Sequence, residues 1–124
     1  MGKLQNCSQN GRVDLSELLA RVDNDRELLR DLVTIFKEDF PRHLLALQDA
    51  VAGQDMKQIT MVSHTLRGML SNLAVTKAAA AAGQLEELAR SGAGASIPET
   101  LAAFEREVLG LLPEMETYIA EVRS

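Results

Sequence analysis

The chain has 124 residues, which is enough for one domain with a single core. Its 46% hydrophobic and 25% charged residues are typical of a globular protein, and with only 3% aromatics the core must be mainly aliphatic. A formal net charge of -5 argues against nucleic acid as the main ligand, because phosphate backbones attract clustered lysine and arginine. No stretch approaches the ~20 apolar residues of a membrane span, so no membrane contact by this domain is expected.

The N-terminal residues 1–12 differ from the rest of the chain. They are polar and lack the apolar core of a secretory signal, so we expect a linker or a cloning remnant there and a single domain over residues 13–124. Cys7, the single cysteine, has no partner for an internal disulfide, which fits a reducing compartment and favours an incidental role over a reactive thiol.

The first predicted element is a short helix. Asp14 can cap it, and Glu17 stands three residues later, as in a capping box. One apolar face is formed by Leu15, Leu18, Leu19 and Val22.

The second predicted helix is long and starts after Asn24, where Glu27 completes another capping box. Pro41 removes one backbone donor inside it and is expected to kink the helix or split it in two. Gly53 ends it. Apolar residues recur along it at three- or four-residue steps, namely Leu29, Val33, Phe36, Phe40, Leu44, Leu47 and Val51.

The third predicted helix runs from near Asp55 to about Leu73, and the fourth starts after Thr76 and ends near Gly92. The fourth is rich in alanine, which would let a neighbouring helix pack closely.

The last predicted helix follows the clearest loop, residues 91–96. Ser96 is expected to cap it, with Pro98 in its first turn and Glu99 in the capping-box position. Pro113 predicts a second kink. Its apolar stripe consists of Leu101, Phe104, Val108, Leu111, Met115, Ile119 and Val122.

These five helical segments, with no segment of strand-like alternation, predict an all-α fold. Four longer amphipathic helices with short connections indicate an antiparallel four-helix bundle, with the short N-terminal helix covering one end.

The third helix has two faces with different characters. With about 100° per residue and His64 at zero, one set of apolar residues falls roughly 120° to 180° away and predicts the core stripe. It comprises Ile59, Val62, Leu66, Met69, Leu70 and Leu73. His64 lies opposite and is expected to face solvent. Within roughly 60° of it lie Lys57, Thr60, Met61, Arg67, Gly68 and Ser71.

Gly68 is the informative member of that patch. Glycine inside a helix costs about 1 kcal/mol relative to alanine. Close helix packing would explain the cost on the core side, but Gly68 is on the His64 side. The pattern favours a site where something approaches the backbone beside His64.

The patch admits two interpretations. Neutral imidazole is a nucleophile around neutral pH and could take a phosphoryl group, whose charge Arg67 could offset. A solvated surface histidine is the alternative. Met61 is likewise either part of an apolar docking patch or an ordinary exposed residue.

A sequence motif favours the first interpretation. His64-Thr65-Leu66-Arg67-Gly68, followed by Asn72-Leu73, resembles the signature of the histidine phosphotransfer (HPt) family, often written His-Thr-Leu-Lys-Gly with Asn-Leu-Gly further on. The resemblance extends over about residues 13–122. It includes the second helix at residues 23–36, the turn at residues 53–55 and the family's leucine-glutamate segment at residues 83–88.

The resemblance implies a phosphorelay intermediate of two-component signalling. His64 would accept a phosphoryl group from a receiver-domain aspartate and pass it to another receiver, and Gly68 would leave room for that receiver. Arg67 replaces the family's usual lysine, which keeps the charge and changes the hydrogen-bond geometry. Lys57, Thr60, Met61 and Ser71 would complete the docking face.

The resemblance also implies how the module is used. It would be a monomeric phosphocarrier without kinase activity or cofactor, with Mg²⁺ supplied by the receiver. We expect the C-terminal module of a hybrid sensor histidine kinase or a stand-alone protein, cytoplasmic or tethered to a membrane-bound sensor.

Besides Arg67, the chain departs from the family pattern at three positions. Met69 and Leu70 follow the glycine where small residues are usual, and both are expected to point to the core. Ala74 stands where a second glycine is common, which affects the predicted end of the third helix.

Two rival functions fit parts of the same pattern. A helical adaptor that binds a receiver without phosphorylation would have nearly the same sequence. The dimerisation domain of a histidine kinase usually has an acidic residue after its histidine and a later proline, whereas Thr65 follows His64 here. His43 is expected to be a half-buried or solvated structural residue, and two histidines alone do not make a metal site.

Overall fold

The computed structural model describes residues 15–123, without the side chains of residues 15, 112, 118, 119 and 121–123. Over this range the chain is all-α, as predicted, and has no strand. Its helices are α1 (Leu15–Arg21), α2 (Arg26–Ala52), α3 (Met56–Asn72), α4 (Thr76–Ser91), α5 (Ile97–Val108) and α6 (Leu111–Arg123), with a 3₁₀ turn at Gly94–Ser96. The predictions for Cys7, for the Asp14 cap and for the apolar positions 119 and 122 lie outside the described residues.

The helices pack as a four-helix bundle in which α5 and α6 together fill the fourth position. α3 packs against both α2 and α4, α4 packs against α5, and α6 returns to α2, while α1 adds to the side of α2. The core is aliphatic apart from a few aromatic rings, and its fully enclosed side chains include Leu47, Leu66, Leu70, Leu85, Phe104 and Leu111.

The alanine-rich face of α4 is buried, as predicted. Ala78, Ala79, Ala81 and Ala82 are all less than a tenth exposed. Their small side chains let α3 and α4 approach closely, since interaxial distance depends on the side chains at the contact. α3, which carries His64, is therefore held most extensively by α4.

Aspartates cap the two helices at the centre of the fold. Asp55 accepts a hydrogen bond from the backbone N–H of Gln58 at 3.1 Å and starts α3 where predicted. For α2 the cap is Asp25, which accepts from Leu28 N–H at 3.0 Å, and not Asn24. Asn24 has φ 60, so it belongs to the turn, and Glu27 then stands one residue too early for a capping box.

Neither Pro41 nor Pro113 interrupts a helix at its own position. Pro41 lies inside α2, which continues through it from Arg26 to Ala52 without splitting. The last helix does break, but at Leu109 and Gly110, where Gly110 has φ 82. Pro113 lies in the first turn of α6, where its missing N–H costs little. The prediction of a single last helix kinked at Pro113 was wrong, because the chain leaves the helical conformation at Leu109 and Gly110 and forms two helices.

The start of α5 and the end of α3 also differ in detail from the prediction. Ser96 precedes α5, but its side chain makes no capping hydrogen bond. α3 ends at Asn72 in a turn where Val75 N–H donates to Leu70 O, which places Ala74 in the left-handed region with φ 60. The family's glycine at that position is thus replaced by a residue that tolerates the conformation less well.

The turn between α2 and α3 yields a stability prediction. Gln54, exposed with φ 55, adopts the left-handed conformation, whereas the preceding Gly53 has φ -86. We expect Gln54→Gly to raise the free energy of unfolding by about 0.5–1 kcal/mol, because glycine relieves the left-handed strain. Urea denaturation measures the change.

Gly53→Ala is the matched control. Its new Cβ would meet only backbone oxygens at 3.5 Å or more, and its φ suits alanine, so we expect little loss of stability. If both variants lowered the free energy of unfolding to the same extent, this description of the turn would be contradicted.

Candidate functional site

The two faces of α3 are oriented as the helical arithmetic predicts. The His64 side chain is 65% exposed. On the opposite side Ile59, Leu66 and Leu70 are at most 1% exposed. Met69 is the exception to the core prediction, since it is only half-buried and lines a groove between α2 and α3.

Most of the predicted patch around His64 is accessible. Lys57, Met61, Arg67, Gly68 and Ser71 are all exposed. Thr60 is only half-buried, and its hydroxyl donates to the backbone oxygen of Met56 at 2.8 Å. Its hydroxyl is therefore used within the helix, and only part of the residue is available to a partner.

A buried carboxylate lies directly beside His64. Glu86 on α4 has a side chain only 5% exposed, and its Oε2 lies 3.1 Å from His64 Nδ1. The same oxygen accepts a hydrogen bond from Arg90 at 2.6 Å, and Oε1 lies 3.3 Å from the Arg67 guanidinium. Glu86 thus joins two helices and has two arginines as counter-ions, as a buried charge requires.

Sequence reasoning missed Glu86 and Arg90 as site residues. Glu86 falls on the buried stripe of α4, between Leu85 and Ala89. A carboxylate on an apolar stripe is seldom buried without partners. The position of Glu86 on that stripe therefore indicated that it would have a charged or hydrogen-bonding partner. It could not name His64 as the partner, because the register of α3 against α4 is a tertiary property.

Gly83 lies beneath the Arg67 side chain in this arrangement. A Cβ at Gly83 would come within 3.3 Å of Arg67 Cδ. The Arg67 stem therefore passes over Gly83 on α4, which brings the guanidinium to 3.2 Å from His64 Nδ1 as well as to Glu86. Gly83 accommodates a side chain of the site, a role that the sequence did not reveal.

The two ring nitrogens of His64 have different surroundings. Nδ1 contacts both Glu86 and Arg67. Nε2 has no hydrogen-bond partner among residues 15–123. Because the ring is largely exposed, Nε2 is the nitrogen left for an incoming group.

The space beside Gly68 is open. A Cβ built there would have no neighbour within 4 Å, leaving out the backbone of its own helix. Packing inside the bundle therefore does not require glycine at this position. The glycine costs helix stability and leaves the α3 backbone accessible next to His64.

The face of α3 has an apolar flank on the side toward α2. Met61 and Ile35 are each 54% exposed. A shallow groove between the two helices is lined by Leu32, Ile35, Phe36, Asp39, His43, Thr65, Met69, Asn72 and Leu73. His43 is half-buried in this groove, one of the two environments predicted for it. The ionic groups described above lie on the opposite flank, toward α4.

The charge of this region differs from that of the whole chain. Residues 56–77 contain Lys57, Arg67 and Lys77 and no acidic residue, although the chain as a whole has 13 basic and 18 acidic residues. Lys57 and Arg67 are exposed on the helix that carries His64, whereas Lys77 lies on α4, so this face of α3 has basic and no acidic side chains, which favours an anionic partner.

Neither a metal site nor a membrane span is found in the part of the chain that the structure describes. Among the side chains that the structure describes, no three of His, Cys, Asp or Glu are grouped so that they could hold a metal ion. None of the described helices is sufficiently long and apolar to cross a membrane.

Comparison with known proteins agrees with the geometry. The family model of the Hpt domain matches residues 31–124, most of the chain. No match was found among curated proteins or among solved structures. The chain belongs to the Hpt domain family, whose members are phosphocarriers of two-component signalling and interact with receiver domains.

Proposed function

We propose that His64 is the phosphoacceptor, taking a phosphoryl group from the aspartate of one receiver domain and passing it to another. The observation that carries this proposal is the contact between His64 Nδ1 and the buried Glu86 carboxylate at 3.1 Å. A proton on Nδ1 that is held by Glu86 leaves the lone pair on Nε2, on the exposed side of the ring.

The transfer step follows from this arrangement. Nε2 attacks phosphorus in line while the bond between phosphorus and the aspartate oxygen breaks, through a loose transition state. The ring keeps its Nδ1 proton and acquires positive charge, which the Glu86 carboxylate offsets as the aspartate of a hydrolase triad does for its histidine. Arg67 can donate to the phosphoryl oxygens from one turn further along α3.

Receiver docking uses the other flank. Gly68 leaves room above the backbone, and Met61 supplies exposed apolar surface two turns earlier on the same helix. Lys57 and Ser71 extend the face along the helix, with Thr60 at its edge, and the positive charge of Lys57 and Arg67 attracts an acidic receiver site. Chemistry and recognition thus lie on opposite sides of one histidine.

The remaining properties follow from the same proposal. The chain acts as a monomeric phosphocarrier without a cofactor of its own, and Mg²⁺ belongs to the receiver. It works in the cytoplasm, alone or as the last module of a hybrid sensor kinase. A helical adaptor that binds receivers without accepting phosphate is the alternative that the following experiment separates.

Replacement of the phosphoacceptor tests the proposal. Incubation with a panel of receiver domains phosphorylated on aspartate should give the wild-type protein an acid-labile, base-stable label, and His64→Gln should abolish it. The fold should survive, because the side chain is 65% exposed, and circular dichroism checks this. His43→Gln is the matched control and should retain the label. Binding of a receiver without label on the wild-type protein would favour the adaptor.

The open space at Gly68 predicts opposite effects on stability and transfer. Gly68→Ala should raise the free energy of unfolding by about 0.5–1 kcal/mol, because alanine favours the helix and its methyl meets nothing. Gly68→Leu should fold as well but slow transfer by about tenfold or more, since it fills the space left for a receiver. Denaturation and single-turnover transfer measure the two effects. If Gly68→Leu transferred phosphate at the wild-type rate, Gly68 would not be needed to leave room for the receiver.

A further inference from the structure

The two neighbours of His64 Nδ1 require opposite protonation states of that atom. Glu86 Oε2, at 3.1 Å, is a carboxylate oxygen and accepts a hydrogen bond only from a protonated Nδ1. The Arg67 guanidinium, at 3.2 Å, has no acceptor and can donate only to an unprotonated Nδ1. Both contacts cannot be hydrogen bonds at once, so Arg67 and Glu86 compete for one nitrogen.

This competition sets which nitrogen of the neutral ring carries the hydrogen. A bond from Nδ1–H to Glu86 leaves the lone pair on Nε2, which can attack phosphorus. A bond from Arg67 to Nδ1 forces the hydrogen onto Nε2, and that nitrogen then has no lone pair for attack. Arg67 therefore stabilises the unreactive tautomer whenever it donates to Nδ1.

The charged groups around Nδ1 belong to α3 and α4, the two helices on either side of it. Arg67 is on α3, and Glu86 is on α4 with Arg90 behind it. Arg90 holds Oε2 of the nearly buried Glu86, so the carboxylate is fixed. The Arg67 contacts, 3.2 Å to Nδ1 and 3.3 Å to Oε1, are longer than the 2.6 Å hydrogen bond of Arg90, so Arg67 is the member of the group that is most easily displaced.

We propose that Arg67 is a tautomer gate for His64, a positioning role that rests on the phosphoryl transfer proposed above. In the free protein Arg67 holds part of the His64 population in the Nε2–H form. An incoming anionic phosphoryl group draws the guanidinium off Nδ1, because a doubly charged oxyanion is a stronger acceptor than a neutral ring nitrogen. Nδ1–H then donates to Glu86, and the nucleophile forms as the donor arrives.

The proton and electron balance is simple. His64 releases the Nε2 proton to water and takes one from water at Nδ1, so the ring stays neutral. The Nε2 lone pair then forms the bond to phosphorus, and the acyl-phosphate oxygen of the receiver aspartate leaves with its electron pair as a carboxylate. The positive charge left on the ring faces Glu86.

Imidazole nitrogen spectroscopy tests the gate without any receiver. With ¹⁵N-labelled histidine at about pH 8.5, where a histidine in water is neutral, long-range ¹H–¹⁵N spectra give the ratio of the two tautomers. Arg67→Met removes the donor and keeps an apolar stem over Gly83. It should raise the ratio of Nδ1–H to Nε2–H at His64 by about threefold or more. Glu86→Gln should lower that ratio.

Two controls accompany these variants. His43 lies in the groove toward α2, so its resonances report any general change in each sample. Lys77→Met removes a cation from exposed α4 surface and should leave the His64 ratio unchanged. A folded Arg67→Met protein with the wild-type ratio would overturn the gate.

An anion titration tests the release step. At constant ionic strength, replacing chloride by sulfate should raise the ratio of Nδ1–H to Nε2–H at His64 in the wild-type protein. The same replacement should leave the ratio unchanged in Arg67→Met. An unchanged wild-type ratio in sulfate would overturn the release of Arg67 by an oxyanion. Neither readout depends on phosphoryl transfer. If the protein carries phosphate on His64 but its tautomer ratio does not respond to Arg67→Met or to sulfate, only the gate is refuted. If no receiver labels the protein, the carrier function is refuted.

Discussion

The buried carboxylate of Glu86 is the constraint from which the rest of the site follows. Leaving a buried charge without its partner costs about 3–5 kcal/mol, so cations must reach it. Arg90 does so from the next turn of α4, and Arg67 reaches across from α3. His64 completes the group at 3.1 Å. The apolar stripe of α3 turns His64 outward, and the ion cluster then determines which groups surround its Nδ1.

That cluster depends on small side chains between the two helices. The buried alanines of α4 bring the helices close, and Gly83 leaves the channel through which the Arg67 stem passes. Arg67 contacts both Glu86 and Nδ1 through Nη2 and keeps further N–H donors in a planar fork, whereas lysine, the family's usual residue at this position, has a single compact ammonium. The departure at Arg67 thus alters the chemistry around the histidine and not only the charge.

Helix periodicity correctly predicted those features that depend on a single helix and not on how two helices pack. The exposure of His64, the core stripe of α3 and the Asp55 cap all follow from spacing along the chain. The break at Gly110 and the Asp25 cap were missed because neighbouring residues offered competing local signals. Glu86 could not be paired with His64 in advance, since their contact depends on the register between two helices.

The placement of Gly68 connects stability to function in the same helix. Its open surroundings show that the bundle gains nothing from glycine there, and Gly83 shows the opposite case, where the space above a glycine is filled by a neighbour. At Gly83 this chain's own Arg67 fills the space, whereas at Gly68 no residue of the chain does. Under the proposed function, the unfilled glycine beside His64 therefore belongs to a surface that a second protein completes.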